Sequence, residues 1–570
     1  MSSSEISFYS GGPAPAIPDS LWQWLSSTGA ERLDAEALAA LHQPASHLSN
    51  LIRTQTPSQD YFSWTFRQLI EAAESVAASF VSGGVRPGDV VALFVPNSAE
   101  WGVLLWACFR IGAVFAPIDP TALGRAEELE YLIGALDPKV IVVLDETAAR
   151  AYNQHCSREI MLQLICNGGT LPGWLSLSHL IPPMNITLPP AKSDPDVVAY
   201  ILFTSGTTSF PKGCPLTVQN ISAEITGYHS FYGSRWDPTA RFLVTSMCFR
   251  PICYLGCLNS WRGGGCVVVP SSYFSDEIAL RAIVTQQITN MMLVPSQVRS
   301  LSNSPALTTH RPSTLRFVTC SGDTCQADVI AQGKRSLQTK RLVFHWGMSE
   351  GAPLFGWLGE EPIPVTGQGN IPGLGRALPG TAIRICESGN DNNIVARGVV
   401  GGLEVDSTSL VNWYLSEEHT SKAFLEDEFG RRWFKTGDLA YMDGSGVIFI
   451  VGRSKDMIKC KGVGIVPSIV EDCLEKAFLD EVQVVGIPDP SYGAKAIAVM
   501  KGARLETDDL PDIRRKVKQQ IIQTLGPEYT LGGVAFFSDL GWSDWPKNSS
   551  HKIVKKDIVD AILQRQAVLG

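Results

Sequence analysis

The stretch Phe203-Thr204-Ser205-Gly206-Thr207-Thr208-Ser209-Phe210-Pro211-Lys212-Gly213 decides the reading of this chain. It follows an apolar, β-favouring run, Val197 to Phe203. A strand that empties into a hydroxyl- and glycine-rich loop with a lysine has the composition that phosphate binding requires. Ser205, Thr207 and Thr208 offer hydroxyl donors. Gly206 and Gly213 permit left-handed backbone and let N–H groups close on an anion, and Lys212 adds a mobile positive charge. The alternative is a surface turn. A Walker-type P-loop is excluded, because that motif ends in Gly-Lys-Ser/Thr. Here Lys212 precedes its glycine, and Cys214-Pro215 stand where a helix should begin.

At 570 residues the chain is long enough for several domains and for large buried cores. A hydrophobic content of 45% with 18% charged residues describes an ordinary globular protein rather than a disordered one. The net charge of −9 argues against general nucleic-acid binding. Residues 455–570 hold 16 basic and 16 acidic side chains, so the whole acidic excess lies in the first 454 residues. The last fifth is therefore relatively electropositive, a hint of an anionic partner. The 13 cysteines are scattered without a Cys-x2-Cys pair, which fits buried free thiols in a reducing compartment. The start, Met1-Ser2-Ser3-Ser4-Glu5, has no basic and apolar signal pattern. The apolar region Val90 to Ile118 is too interrupted, by Asn97, Glu100 and Arg110, to span a bilayer. The C-terminus is not a peroxisomal Ser-Lys-Leu address. These features predict a cytoplasmic enzyme with no membrane span.

Residues 1–50 carry few strong signals and are expected to wrap the surface. Apolar residues at helical spacing predict a helix over Phe66–Phe80, stopped by Gly83-Gly84 and Pro87-Gly88. Val90–Val95 reads as a buried strand, Glu100–Val114 as a helix and Val140–Leu144 as the next strand. Residues 150–190 read as connecting loops. Val267–Val269, Leu315–Thr319 and Leu342–Phe344 continue the alternation. The expected fold class is thus α/β, a large multi-layer N-terminal domain with mostly parallel sheets and helices on both faces. At Gly452-Arg453-Ser454-Lys455-Asp456 the pattern changes to α+β: helix Pro467–Leu479, strand Val482–Val485, strand Ala496–Met500, helix Asp509–Leu525. That predicts domains over 1–453 and 454–570, the second of roughly 115 residues.

The opening loop resembles the signature loop of the adenylate-forming superfamily: acyl-CoA synthetases, aryl-CoA ligases, adenylation domains and luciferases. The usual form there is Tyr-Thr-Ser-Gly-Thr-Thr-Gly-x-Pro-Lys-Gly, and this chain departs from it at Phe203 and Ser209. The resemblance implies that Thr204, Ser205, Gly206, Thr207, Thr208 and Lys212 face the ATP phosphates. His345-Trp346-Gly347-Met348-Ser349-Glu350 is similar to the family's Tyr-Gly-x-Thr-Glu motif. It implies Trp346 and Gly347 beside adenine, Ser349 on the α-phosphate and Glu350 on Mg²⁺, a hard cation suited to carboxylate oxygen. A helix start with a capping serine and a first-turn glutamate is the other reading. Cys320-Ser321-Gly322-Asp323 takes the place of a small turn that the family sets beside adenine. Gly322 is then the adenine neighbour, and Asp323 has no assigned role.

Lys435-Thr436-Gly437-Asp438 resembles the family's Thr-Gly-Asp motif, and Asp438 can accept from both ribose hydroxyls. Gly452 to Glu471 is similar to the inter-domain motif. By that resemblance Arg453 touches ribose or phosphates, and Lys455 is the hinge about which a small mobile domain turns. Lys459, Lys461 and Gly462 would face coenzyme A, whose phosphates a cationic run would suit. For Lys459 a solvated basic loop is an equal alternative. Pro546-Lys547-Asn548-Ser549-Ser550-His551-Lys552-Ile553 resembles Pro-Lys-Thr-x-Ser-Gly-Lys-Ile. Lys552 takes the position of the catalytic lysine, and His551 replaces glycine. Catalysis is thus assigned to Lys552, Lys212 and Glu350. Tyr228, Cys248, Phe249, Arg250 and Met348 would line the acyl pocket. Arg250 stands where the family has histidine or an aromatic, and either pairs with a second polar or acidic group of the substrate or forms a structural ion pair or points outward.

These motifs imply a ligase that uses ATP and Mg²⁺ to turn a carboxylic acid into an acyl-adenylate and then, with coenzyme A, into a thioester. Loading of an acyl carrier protein is the alternative acceptor. A degenerate nucleotide-binding regulatory protein is the alternative of another class, favoured only by Ser209, Arg250 and His551.

Overall fold

The computed structural model describes residues 6–17, 20–53, 60–169, 171–180, 186–188, 190–191, 194–204, 210–323, 325–357, 363–365, 371–387, 390–460, 463–491, 493–502, 510–547 and 553–565. Two seven-stranded, mostly parallel sheets form the centre. The first runs Gly213–Thr217, Val198–Phe203, Val114–Pro117, Val90–Phe94, Val140–Val143, Leu162–Ile165, Leu175–Ser176. All of its neighbours are parallel except the first pair. The second runs Leu342–Phe344, Phe317–Cys320, Asn290–Leu293, Arg241–Leu243, Cys266–Val269, Glu36–Ala40, Phe62–Thr65. Here only the last pair is antiparallel.

Helix Ala99–Ile111 lies between these sheets, and every residue of it except Arg110 is buried. Trp101 meets Phe115 of the first sheet edge to face, and Trp106 packs on Trp261 at 5.5 Å between ring centres. At Gly102 a Cβ would stand 3.2 Å from the Trp261 ring and 3.3 Å from Leu38 Cδ2 of the second sheet. A helix apolar all round is one enclosed by protein, which accounts for the near-continuous apolar run. Among the described residues no helix is long and apolar enough to cross a membrane.

The helix ends before Val114. Gly112 adopts φ +72°, closes the helix at Cys108, and returns Val114–Pro117 as a strand beside Val90–Phe94. The expected helix to Val114 is corrected accordingly: a left-handed glycine is a strong C-terminal stop. Residues 150–190 are not all loop, since Leu162–Ile165 and Leu175–Ser176 extend the first sheet. Residues 1–50 do not merely wrap the surface. Leu21–Glu31 is a helix with Trp22, Trp24 and Leu25 buried, and Glu36–Ala40 is an interior strand of the second sheet.

A third seven-stranded sheet is antiparallel: Phe8–Ser10, Thr381–Glu387, Gly401–Ser407, Arg432–Met442 and Phe424–Glu426 in order. Asn390–Ile394 joins Thr381–Glu387, and Ile448–Arg453 joins Arg432–Met442. Beyond Arg453 the turn Ser454–Asp456 leads to a five-stranded sheet made of Val463–Ile465, Ile458–Cys460, Gly493–Met500, Val482–Asp489 and Gly533–Phe536. Helices Pro467–Phe478 and Leu510–Leu525 pack Leu474, Val517 and Ile521 on one face. Trp545, Ile558 and Ile562 cover the other.

Candidate active site

The hydroxyl-rich loop closes on a hairpin. Val198–Phe203 and Gly213–Thr217 pair antiparallel, with Phe203 opposite Gly213. Thr204 N donates to Lys212 O at 3.0 Å, and Lys212 N donates to Thr204 Oγ1 at 3.1 Å. Tyr131 buttresses the loop's exit, stacking on Phe210 at 4.7 Å and donating to Pro211 O at 3.2 Å. Ser205, Gly206, Thr207 and Thr208 lie outside the described residues, as does Ser209. The strand Gly213–Thr217 also accounts for the failure of a P-loop pattern here, since no helix follows the lysine.

The chain from Ser409 to Leu415 crosses this hairpin. Leu415 N donates to Gly213 O at 3.0 Å, and a Cβ on Gly213 would come within 2.5 Å of Leu415 Cδ1. The same segment grips the turn at Glu350: Val411 N donates to Glu350 O at 2.8 Å. At Gly351 a Cβ would lie 2.7 Å from Ser409 O. Between these ties Tyr414 donates its hydroxyl to Glu350 Oε1, and its ring faces Lys212 Nζ at 5.2 Å. Burial, with Glu350 beside it, pushes the Tyr414 hydroxyl far above the usual phenol range. Phosphate loop and acidic motif are thus joined through a residue of neither.

Trp346-Gly347-Met348 is a short strand, paired with Gly351–Gly356, and Ser349 and Glu350 form its turn. The helix-start alternative for this motif is therefore set aside. Trp346 stacks on Phe355 at 4.7 Å with an interplanar angle of 6°, so a base can cover only its opposite face. Its Nε1 donates to Asp438 Oδ2 at 3.1 Å. Asp438 and Arg453 are opposite one another on adjacent strands, and Arg453 Nε approaches Asp438 Oδ1 to 2.7 Å. Thr436 Oγ1 accepts from Asp438 N at 3.0 Å, and Gly437 turns the backbone with φ +73°. Asp438 is buried while the Arg453 side chain is half exposed, so the pair lies at the edge of the interior rather than within the core.

Gly322 has φ +90°, and a Cβ there would meet Ile252 Cδ1 at 3.1 Å. Both features restrict this turn to glycine. Of the expected acyl-pocket residues, Tyr228 is fully buried against Tyr232 and meets the His345 ring at 5.9 Å. Burial lowers His345 to about 3, leaving a neutral imidazole under the Trp346 strand. Cys248 is drawn toward the first sheet, its N donating to Asn97 Oδ1 at 2.7 Å and its thiol to Val95 O at 3.4 Å. Phe249 is buried, Met348 half-buried, and the Arg250 guanidinium lies 5.0 Å over the Phe249 ring. Burial lowers the Arg250 pKa and Asp119 opposes that shift.

Lys455 and Lys459 are exposed, the first in the turn after Arg453 and the second opposite Gly464 in a hairpin. Lys461 and Gly462 lie outside the described residues. So do His551 and Lys552, although Lys547 and Ile553 on either side pair as an antiparallel bridge. No group of three or more His, Cys, Asp or Glu able to hold a metal occurs among the described residues. Glu350 remains as a single carboxylate with one oxygen engaged, which fits magnesium that arrives on phosphate oxygens. Sequence reasoning missed Tyr414, Phe355 and Tyr131. The Trp413-Tyr414 pair in a polar stretch was the one available signal.

The family model described as AMP-binding enzyme matches residues 38–415. An acyl-CoA ligase of Pestalotiopsis microspora is 28% identical over 560 residues, covering 94% of each chain. The indoleacetate–CoA ligase of Aromatoleum aromaticum is 26% identical over 509 residues, 88% of this chain and 94% of its own. The crystal structure of ATP-bound MatB from Rhodopseudomonas palustris superposes with a TM-score of 0.76 at 22% identity, over 96% of this chain and 99% of that one.

Proposed function

The chain belongs to the AMP-binding enzyme family, and from that premise we propose that it is an acid–thiol ligase working in two half-reactions. Two contact groups, Lys212–Tyr414–Glu350 and Trp346–Asp438–Arg453, are joined by the strand and turn that carry Trp346 and Glu350, and this arrangement carries the reading. In the first half-reaction a substrate carboxylate attacks the α-phosphorus of ATP, forming acyl-adenylate and expelling pyrophosphate. Trp346 covers the adenine on its open face. Asp438 accepts from the ribose hydroxyls, and Arg453 holds the Asp438 carboxylate in place. Lys212 and the hydroxyls of Thr204, Ser205, Thr207 and Thr208 receive the phosphates, and Ser349 reaches the α-phosphate. Glu350 would hold magnesium through its free carboxylate oxygen, and the ion when bound would supply charge neutralisation on the triphosphate. Lys552 stabilises the charge that develops between carboxylate and phosphorus.

In the second half-reaction a coenzyme A thiol attacks the acyl carbon, AMP leaves, and a proton is released. Lys552 and the thiol need the same approach, so we infer that residues 454–570 turn about Lys455 between steps and bring Lys459, Lys461 and Gly462 to the thiol channel. The acid enters along Tyr228, Phe249 and Met348, a largely apolar lining. The relatives' names, an acyl–CoA ligase and an indoleacetate–CoA ligase, support a carboxylic acid as the substrate, an aryl-bearing one among the candidates. Thirteen free cysteines support a reducing, cytoplasmic setting.

The test is pyrophosphate release from ATP across a panel of carboxylic acids, with and without coenzyme A. Acid-dependent release that rises with coenzyme A and collapses in Lys552→Ala is expected. Release indifferent to coenzyme A would transfer the reading to a carrier-protein acceptor, and none with any acid would remove it.

A further inference from the structure

Tyr414 belongs to none of the motifs, yet it touches two of them. Its side chain is buried, its hydroxyl donates to Glu350 Oε1, and its ring faces the Lys212 ammonium at 5.2 Å. Nothing around it is loosely held. Asn220 Nδ2 donates to Thr408 O at 2.9 Å and to Leu410 O at 2.7 Å, anchoring the start of the segment in the helix Val218–Tyr232. Tyr414 N donates to Thr420 Oγ1 at 2.9 Å. Val411 and Leu415 bond to the backbone of Glu350 and of Gly213. The hydroxyl is thus presented from a rigid strap.

A glutamate in a turn has several rotamers within reach, and one fixed hydrogen bond selects among them. With Oε1 held, Oε2 accepts no hydrogen bond among the described residues. A lysine likewise swings on four methylenes, and an aromatic face within about 6 Å restrains its ammonium. We propose that Tyr414 is a positioning residue for the metal–triphosphate corner. It holds Glu350 so that Oε2 is presented to the metal and keeps Lys212 on the same side for the phosphates. This rests on the nucleotide reading above and adds to it a residue that acts through two others.

A packing role would need only the ring. Tyr414→Phe keeps the ring and its contact with Lys212 and removes the donor to Glu350. The test reads Mn²⁺·ATP binding by electron paramagnetic resonance, without acid or coenzyme A, in the wild type, Tyr414→Phe, Glu350→Gln and the double variant. Loss of a hydrogen bond that orients a metal ligand weakens the metal complex about tenfold. The double variant is expected to bind no worse than Glu350→Gln alone, because the two act as a unit. Pyrophosphate release falls in parallel, whereas thioester formation from supplied acyl-adenylate changes less than about twofold, since no triphosphate is present in that step. Wild-type Mn²⁺·ATP affinity in Tyr414→Phe, strictly additive losses, or equal falls in both half-reactions would overturn the assignment. Coupled loss of Mn²⁺·ATP binding in a protein that activates no acid would sustain Tyr414 and remove the ligase reading.

Discussion

The corner proposed for the phosphates and the corner proposed for the ribose are built differently. At the ribose corner, Asp438 and Arg453 face each other across adjacent strands 15 residues apart, and the antiparallel register brings them together. At the phosphate corner, Lys212 and Glu350 lie beside strands of separate sheets and are joined, among the described residues, through Tyr414, which a strap from the third sheet delivers. A local pair survives small shifts of its surroundings, because its two strands move together. A corner assembled from three distant segments depends on packing everywhere between them.

The largest expected effect is at the ribose corner. Asp438→Ala removes a buried carboxylate that accepts from Trp346 Nε1 and pairs with Arg453, leaving Arg453, among the described residues, only its bond to Thr436 O. Losing a buried acceptor that also meets the ligand costs about 3 kcal/mol, a fall in kcat/KM for ATP of about a hundredfold. A loss below about tenfold, measured by pyrophosphate release against ATP concentration, would detach this corner from the nucleotide.

Gly351→Ala probes the other corner without touching a charge. Its Cβ would press on Ser409 O at 2.7 Å, on the backbone of the strap. Overpacking against backbone costs about 1–3 kcal/mol, read as a lower denaturant midpoint together with weaker ATP activation. Unchanged stability and activity would show that the strap moves freely and that the two corners do not differ as argued.

Arg453→Gln sharpens the contrast from the local side. The arginine is half exposed, so its pair with Asp438 contributes under about 1 kcal/mol to stability. The KM for ATP is expected to rise about tenfold while the melting temperature stays nearly constant. A marked drop in melting temperature would make the pair a structural clamp instead.

A third long-range contact is expected to affect stability alone, and not ATP activation. Glu475 Oε2 accepts from Gln326 Nε2 at 2.6 Å, across from the helix Pro467–Phe478 to the second sheet's side of the cleft. Burial pushes this carboxyl up from 4.5 to about 7. The folded state therefore binds the proton more tightly than the unfolded one. The stability it contributes is fully present below pH 4.5 and is lost as pH rises to about 7. Glu475→Gln should flatten that part of the stability curve, followed by thermal unfolding between pH 4.5 and 8. An unaltered curve would mean that the contact opens at no cost.

Legibility in the sequence followed the same division. Val90–Phe94, Val140–Val143 and Leu342–Phe344 read directly, since buried parallel strands are short apolar runs. The strand into the Lys212 loop and the candidacy of Asp438 and Arg453 were legible from motif and spacing, whereas the hairpin at Lys212 and the Asp438–Arg453 ion pair were not. Where sequence reasoning placed Val114 in a helix, Gly112 had already turned the chain, and apolar character alone does not separate helix from strand in so short a run. Leu162–Ile165 hid among polar neighbours, because an edge-side strand needs little apolar content of its own. Glu36–Ala40 gave no signal because its partners, Cys266–Val269 and Phe62–Thr65, lie elsewhere in the chain. The antiparallel sheet from Thr381 to Arg453 went unread for a like reason.

The sequence by itself determined the chemistry on offer: a hydroxyl-rich loop with Lys212, a carboxylate at Glu350, an aspartate and an arginine 15 residues apart, and an α/β alternation of large size. These are properties of residue type and local spacing, which the chain carries without folding. Only the tertiary structure decided that Phe355 covers one face of Trp346, that Cys248 turns toward Val95, and that Tyr414 joins Lys212 to Glu350. Each depends on segments far apart in the chain, and their meeting is set by how the sheets and the enclosed helix pack rather than by anything written beside the residues themselves.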